Sequence, residues 1–223
     1  MEGEWSSFSL THVEYPKGDI YGLVLAILSL LPLAIIVGFI TLIFFRRDLH
    51  TITFFVGQLG NEVLNMVLKK VIREPRPMRR EVNYNEWGMP SSHSQFVTFF
   101  ALYSALFILF RLPATKLGHK LGLITFLTGI ASGVIYSRIY LMYHTLSQVG
   151  WGAAIGGAVA LVWFLTTVFV YVPLFPYISN LRICEMLLIK DTSLIPNILW
   201  FEYKNARLEA RSRVRKGASS KLQ

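Results

Sequence analysis

The residues in this 223-residue chain whose types could do chemistry are a set of clustered cations and two histidines. Lys69, Lys70, Arg73, Arg76, Arg79 and Arg80 are crowded together, His93 follows Pro90-Ser91-Ser92, and Arg138 stands six residues before His144. Like charges at this density need something negative between them. Guanidinium and ammonium groups beside imidazoles suit phosphate: they offer donors for its oxygens and side chains able to attack phosphorus or move a proton near neutral pH. Charge alone leaves a second reading open, in which the cations simply snorkel to lipid headgroups. His12, His50 and His119 lie outside these clusters and receive no role.

The elements that must position these groups follow from composition. The chain is 53% hydrophobic and only 16% charged, with a mean hydropathy of +0.48, yet its formal net charge is +9. That combination excludes a disordered chain, a disulfide scaffold and an ordinary soluble domain. A single cysteine, Cys184, excludes an intrachain disulfide and any cysteine-built metal cluster. Five apolar runs, at about 20–45, 51–72, 94–112, 117–136 and 147–172, approach or exceed the roughly 20 residues that cross a bilayer. Lys120 shortens the fourth. Backbone groups in lipid must be satisfied within the segment, and strand alternation is absent, so the runs read as helices. The expected fold is all-α: a polytopic transmembrane helix bundle of about five spans with a short cytoplasmic C-terminal tail.

Three regions follow: a lumenal N-terminal segment (1–19), a five-span membrane domain (20–172) and an interfacial or cytoplasmic basic C-terminal segment (173–223). The first run follows an acidic stretch with Glu2, Glu4, Glu14 and Asp19 and lacks a small-residue cleavage site, which predicts a retained anchor. Fourteen of the 22 Lys and Arg residues fall on the face holding Arg46, Arg47, Arg111, Lys116, Lys120 and the C-terminal segment. The positive-inside rule therefore places the C-terminus in the cytoplasm and the loops 69–93 and 137–148 in a lumen. Beyond 172, the apolar patches 183–189 and 194–201 are too short to span and suit an interfacial or packed helix, with Trp200, Phe201 and Tyr203 at headgroup level.

The spacing of the cations and histidines narrows the chemistry. Lys69-x6-Arg76-Pro77, Pro90-Ser91-Ser92-His93 and Ser137-Arg138-x5-His144 occur in that order, each beside a helix end. Together they resemble the three-part motif of the type 2 phosphatidic acid phosphatase superfamily. The flanking segments Leu10-Thr11-His12-Val13-Glu14-Tyr15-Pro16, Gly88-Met89-Pro90-Ser91-Ser92-His93-Ser94-Gln95-Phe96 and Asp191-Thr192-Ser193-Leu194-Ile195-Pro196-Asn197 resemble the branch that acts on dolichyl diphosphate. The resemblance runs essentially end to end.

It implies a metal-independent hydrolase without cofactor, whose partner molecules are a polyprenyl diphosphate lipid and the bilayer, and not nucleic acid. The implied reaction converts dolichyl diphosphate to dolichyl phosphate and inorganic phosphate at the lumenal face of the endoplasmic reticulum membrane, recycling the carrier lipid of protein N-glycosylation. By the same resemblance His144 is the nucleophile, passing through a phosphohistidine, and His93 is the general acid. Lys69, Arg76 and Arg138 hold phosphate oxygens, and Ser91, Ser92 and nearby amides donate further hydrogen bonds.

Two positions depart from the family pattern. Ser92 stands where glycine is usual, which matters if that position demands a positive φ. Gln148 replaces an aspartate four residues after the nucleophile. On a helix it can still accept a hydrogen bond from the imidazole and orient it, but it brings no charge. The alternatives are therefore a phosphatase of other lipid phosphates, or a non-catalytic lipid-phosphate transporter or binding protein. Gln58, Asn61, Glu62, Asn65 and Lys69 recur at helical spacing, forming a polar stripe expected to face the bundle interior. Glu62, about 10 Å deeper than Lys69, is a candidate for the missing carboxylate; interhelical hydrogen bonding and neutralisation of Lys69 is the competing explanation.

Overall fold

The computed structural model describes residues 5–8, 13–78, 87–112, 116–195 and 197–220. A short antiparallel pair, β1 (Trp5–Phe8) and β2 (Val13–Pro16), precedes α1 (Ile20–Leu28), α2 (Leu31–Arg46), α3 (Leu49–Ile72), α4 (Ser92–Arg111), α5 (Leu117–Tyr140) and α6 (Leu146–Thr166). A π-helical turn (Thr167–Tyr171) joins α6 to α7 (Val172–Ser179), followed by α8 (Arg182–Met186) and α9 (Ile198–Ser220). The molecule is a helical bundle, with the small hairpin as an addition that the hydropathy pattern did not signal.

Among the described residues, four helical stretches are both long and apolar enough to cross a membrane: Ile20–Arg46, Ser92–Arg111, Leu117–Tyr140 and Leu146–Ser179. α3 has 24 residues, about 36 Å of helix, but falls short on apolarity. The cause is its polar stripe, which turns inward. Gln58, Asn61, Asn65 and Lys69 are buried, and they meet α4 with their sequence order reversed, so the two helices run antiparallel. Gln58 Nε2 donates to the Phe96 carbonyl (3.3 Å) and Asn65 Nδ2 to Gln95 Oε1 (2.7 Å). Gln95 Nε2 returns a bond to Asn61 Oδ1 (2.9 Å). These bonds fix the register of α3 on α4, while Gln58 Oε1 and Asn65 Oδ1 are buried without a hydrogen-bond partner among the described residues.

Glycines allow α6 to approach both neighbours. A Cβ on Gly152 would lie 2.6 Å from the Ser91 carbonyl oxygen, and one on Gly156 would run into the Gln95 carbonyl, so α4 and α6 touch backbone to backbone. Against α3, the indole of Trp163 lies over Gly57 and donates to the Thr53 carbonyl (3.0 Å). An aromatic cluster of Phe54, Phe99, Tyr103 and Phe164 fills the space between.

The helix ends sort into two groups. One end holds the α2–α3 turn, where Asp48 caps α3 by accepting from the Thr51 amide (3.0 Å) and also bonds the Thr192 hydroxyl. Leu49 N donates to the Lys190 carbonyl (3.1 Å) there, which docks the C-terminal segment on this end. α9 is mostly exposed, and Glu202 on its first turns pairs with Lys190 (2.7 Å) and Arg46 (3.7 Å). The other end gathers the C-termini of α3 and α5, the N-termini of α4 and α6, and β2.

Candidate active site

The motif residues converge at that second end. α3 stops where Arg73 adopts a left-handed conformation (φ 54°), and the chain turns back over the bundle as Glu74-Pro75-Arg76. This return is short and tied down: Pro75 bridges Trp87, and Gly88 N donates to the Glu74 carbonyl (2.6 Å). Arg79 and Arg80 lie outside the described residues. Lys69, on the last turn of α3, is buried and its Nζ reaches Ser92 Oγ at 3.5 Å.

α4 begins at Ser92. Ser91, expected among the substrate contacts, is fully buried and caps the helix: its Oγ accepts from Ser94 N (3.5 Å) and Ser94 Oγ (3.1 Å), and its amide donates to the Gln148 carbonyl (3.0 Å). It therefore aligns the first turn of α4 from behind. Ser92 is not among the described residues of positive φ, so serine replaces glycine there without backbone strain. His93 follows, half-buried on that first turn, in the electrostatic field of Arg138, His144, Lys69 and Arg76.

Arg138 is placed differently from the sequence expectation. α5 continues to Tyr140, so Arg138 belongs to its last helical turn and not to a loop. Its carbonyl accepts from both Tyr143 N (3.0 Å) and His144 N (3.1 Å), folding residues 141–145 tightly over the helix end. The guanidinium lies 3.9 Å from the centre of the Tyr143 ring. Tyr143 is fixed from the other side by the N-terminal segment: its hydroxyl accepts from Glu14 N (2.9 Å), and Val13 packs with Leu141 and Tyr143. Sequence reasoning missed this brace; the resemblance around Val13-Glu14-Tyr15 was its available signal.

His144 is buried beside the N-terminus of α6. Burial first, then the cations Arg138, Arg76 and Lys69, push its pKa down to about 3, so the imidazole is neutral at physiological pH. Its Nδ1 lies 3.1 Å from Gln148 Oε1. The Gln148 amide nitrogen donates to Glu74 Oε1 and to the Pro75 carbonyl, both at 2.8 Å. Two acceptors on that side leave the amide oxygen facing the imidazole, so Nδ1 is the protonated nitrogen and Nε2 keeps its lone pair. Gly88 makes room for this arrangement, because a Cβ there would lie 2.6 Å from Gln148 Oε1. Glu74 is the second residue sequence reasoning missed. Glu62, by contrast, is half-buried within α3 and couples electrostatically to Lys69.

The arrangement is a neutral, oriented imidazole with three cations and a second imidazole around it, all at one end of a helical bundle. The family model of the PAP2 superfamily matches residues 50–171, which spans every one of these motif residues. The chain belongs to the PAP2 superfamily. The chain is a phosphatase, and it resembles dolichyldiphosphatases over most or all of its length. It is 49% identical to Dolichyldiphosphatase 1 of Homo sapiens over 231 residues, covering 100% of this chain and 97% of that protein. It is 45% identical to Dolichyldiphosphatase 1 of Dictyostelium discoideum, covering 88% and 87%. Among solved structures, the transmembrane PAP2 type phosphatidylglycerolphosphate phosphatase from Bacillus subtilis shares the fold, with a TM-score of 0.58 at 23% identity, over 69% of this chain and 80% of that one. Among the described residues no group of three His, Cys, Asp or Glu is spaced to hold a metal ion.

Proposed function

We propose that this PAP2 protein hydrolyses dolichyl diphosphate to dolichyl phosphate and inorganic phosphate, through a phosphohistidine on His144. The observation that carries the chemistry is the hydrogen bond from His144 Nδ1 to Gln148, which leaves Nε2 as a free nucleophile inside a ring of cations. The full-length likeness to Dolichyldiphosphatase 1 proteins supports the substrate.

In the first step Nε2 attacks the terminal phosphorus, the P–N bond forms and the bridging P–O bond breaks. Lys69, Arg76 and Arg138 hold the non-bridging oxygens of the transferring group, with Ser92 and the first amides of α4 as further donors. His93 gives its proton to the bridging oxygen as dolichyl phosphate leaves. In the second step His93 takes a proton from water, the water oxygen bonds to phosphorus, and the P–N bond breaks to release inorganic phosphate and neutral His144. Gln148 orients the ring throughout, and Ser91 and Tyr143 hold the elements that carry His93 and Arg138.

By the distribution of Lys and Arg, the motif end faces the lumen of the endoplasmic reticulum and the C-terminus the cytoplasm, with α3 as a fifth crossing. Dolichyl phosphate released there returns to the carrier pool of protein N-glycosylation. A phosphatase of other lipid phosphates would use the same residues and differ in which substrate turns over fastest. A lipid-phosphate transporter would need the cations and not the nucleophile. The test is phosphate release by purified protein in detergent with a chelator present, comparing dolichyl diphosphate with phosphatidate and lysophosphatidate. The expected result is turnover of the diphosphate that is abolished in His144→Ala; faster hydrolysis of phosphatidate would overturn the substrate, and unchanged turnover in His144→Ala the mechanism.

A further inference from the structure

His144 has an amide and not a carboxylate beside its Nδ1, and the charges that act most strongly on it are cations. When Nε2 bonds to phosphorus, positive charge develops on the ring, and Nδ1–H becomes a stronger donor. The hydrogen bonds lead from that proton to a carboxylate in two steps: Nδ1 to Gln148 Oε1, 3.1 Å, and Gln148 Nε2 to Glu74 Oε1, 2.8 Å. Gln148 is fully buried, and its slot is closed by Gly88, whose amide is itself held by the Glu74 carbonyl. The three residues thus form one rigid unit.

We propose that Glu74 is the counter-charge of His144, acting through the Gln148 amide as a positioning residue. Hydrogen bonds in series polarise one another. A carboxylate accepting from the amide nitrogen raises electron density on the amide oxygen, and so strengthens its bond to Nδ1–H as the ring turns cationic. Two hydrogen bonds and the amide between them put Glu74 within about 8 Å of the ring. At that range, with an effective dielectric of about 20, a full charge is worth roughly a 30-fold change in rate. The split into Glu74 and Gln148 also explains why a glutamine serves at position 148: an aspartate there would face a second carboxylate instead of a partner it can bond.

The proposal rests on His144 being the nucleophile, and Glu74→Gln isolates its central claim. A glutamine at 74 keeps the length and one acceptor oxygen for Gln148 Nε2, removes the charge and puts an amide NH2 in place of the second oxygen. The expected result is a kcat for dolichyl diphosphate lower by about 10- to 100-fold with KM within about two-fold. Gln148→Glu, which sets two carboxylates against each other, is expected to lose at least as much. The double variant Glu74→Gln/Gln148→Glu returns the charge to the ring's own neighbour and should recover about ten-fold over Gln148→Glu alone. A purely structural Glu74 predicts near wild-type kcat in Glu74→Gln, and equal effects of that change with Gln or Glu at 148; either result overturns the proposal. A second measurement needs no lipid. In protein labelled with 15N-histidine, the His144 Nδ1–H resonance should move upfield in Glu74→Gln as its bond weakens, and an unmoved resonance also overturns the proposal. A wild type that leaves dolichyl diphosphate intact overturns the substrate reading alone, and the resonance then decides on Glu74.

Discussion

The contact between α4 and α6 sets the distance between the two imidazoles proposed as catalytic, because His93 rides on the first turn of α4 and Gln148, which bonds His144, on the first turn of α6. Gly152 lies one turn beyond Gln148. A methyl group added there would meet the Ser91 carbonyl oxygen at 2.6 Å, Ser94 Cβ at 3.2 Å and Ser91 N at 3.3 Å. The closest of these is backbone, and it belongs to the helix cap that also bonds the Gln148 carbonyl. Relief of Gly152→Ala therefore requires the two helix ends to part by about 0.5–1 Å, since no side chain can swing aside. Overpacking of this kind costs about 1–3 kcal/mol of stability. Displacements near 1 Å at a reacting centre cost on the order of 100-fold in rate. Gly152→Ala should thus remain folded, with a lower melting temperature in detergent, while kcat for phosphate release falls by roughly 10- to 100-fold. Gly150→Ala is the control, because a Cβ there meets nothing within 4 Å. Equal kcat for the two variants would refute the claim that this contact sets the catalytic geometry.

Two further outcomes follow from the site. Glu62→Gln should keep kcat within about three-fold of wild type, since the carboxylate bonded to Gln148 belongs to Glu74 and Glu62 sits within α3 beside Lys69; a loss as large as that of Glu74→Gln would reverse this assignment. His144, held near pKa 3 in the fold against about 6.5 in an unfolded chain, stays neutral when folded, so its contribution is complete above pH 6.5 and is lost progressively as pH falls toward 3. Between pH 7.5 and 4.5 wild type should lose about 2–3 kcal/mol more stability than His144→Gln, read from thermal or denaturant unfolding in detergent; equal acid sensitivity of the two would show that His144 is not buried as a neutral group.

The helical bundle was legible because bilayer crossing demands long apolar runs, and the three motif parts were legible because phosphate chemistry demands cations and imidazoles at helix ends. The polar stripe of α3 was visible in its spacing, although the same stripe takes that helix below the apolarity of the other spans. What escaped was whatever depends on contacts between segments far apart in the chain. Glu74 lies among the cations of the first motif, and nothing local marks it as the partner of Gln148, 74 residues later. Tyr143 carries no signal of its own in the sequence, because its bond to Glu14 crosses 129 positions. Ser91 reads as a phosphate ligand from its motif position, and its role as the cap of α4 shows only in the folded chain. Arg138 was assigned to a connection because the apolar run fades after Tyr136, while the helix continues for another turn with its polar side turned toward the site.

The central claim is that His144 carries the phosphoryl group. Purified protein mixed with dolichyl diphosphate labelled in its terminal phosphate, and quenched in alkali during turnover, tests it directly. The account predicts label on the protein, stable to alkali and labile to acid as phosphohistidine is, in the peptide containing His144 and lost in His144→Ala. Turnover without any protein-bound label, or label that persists in His144→Ala, would contradict it.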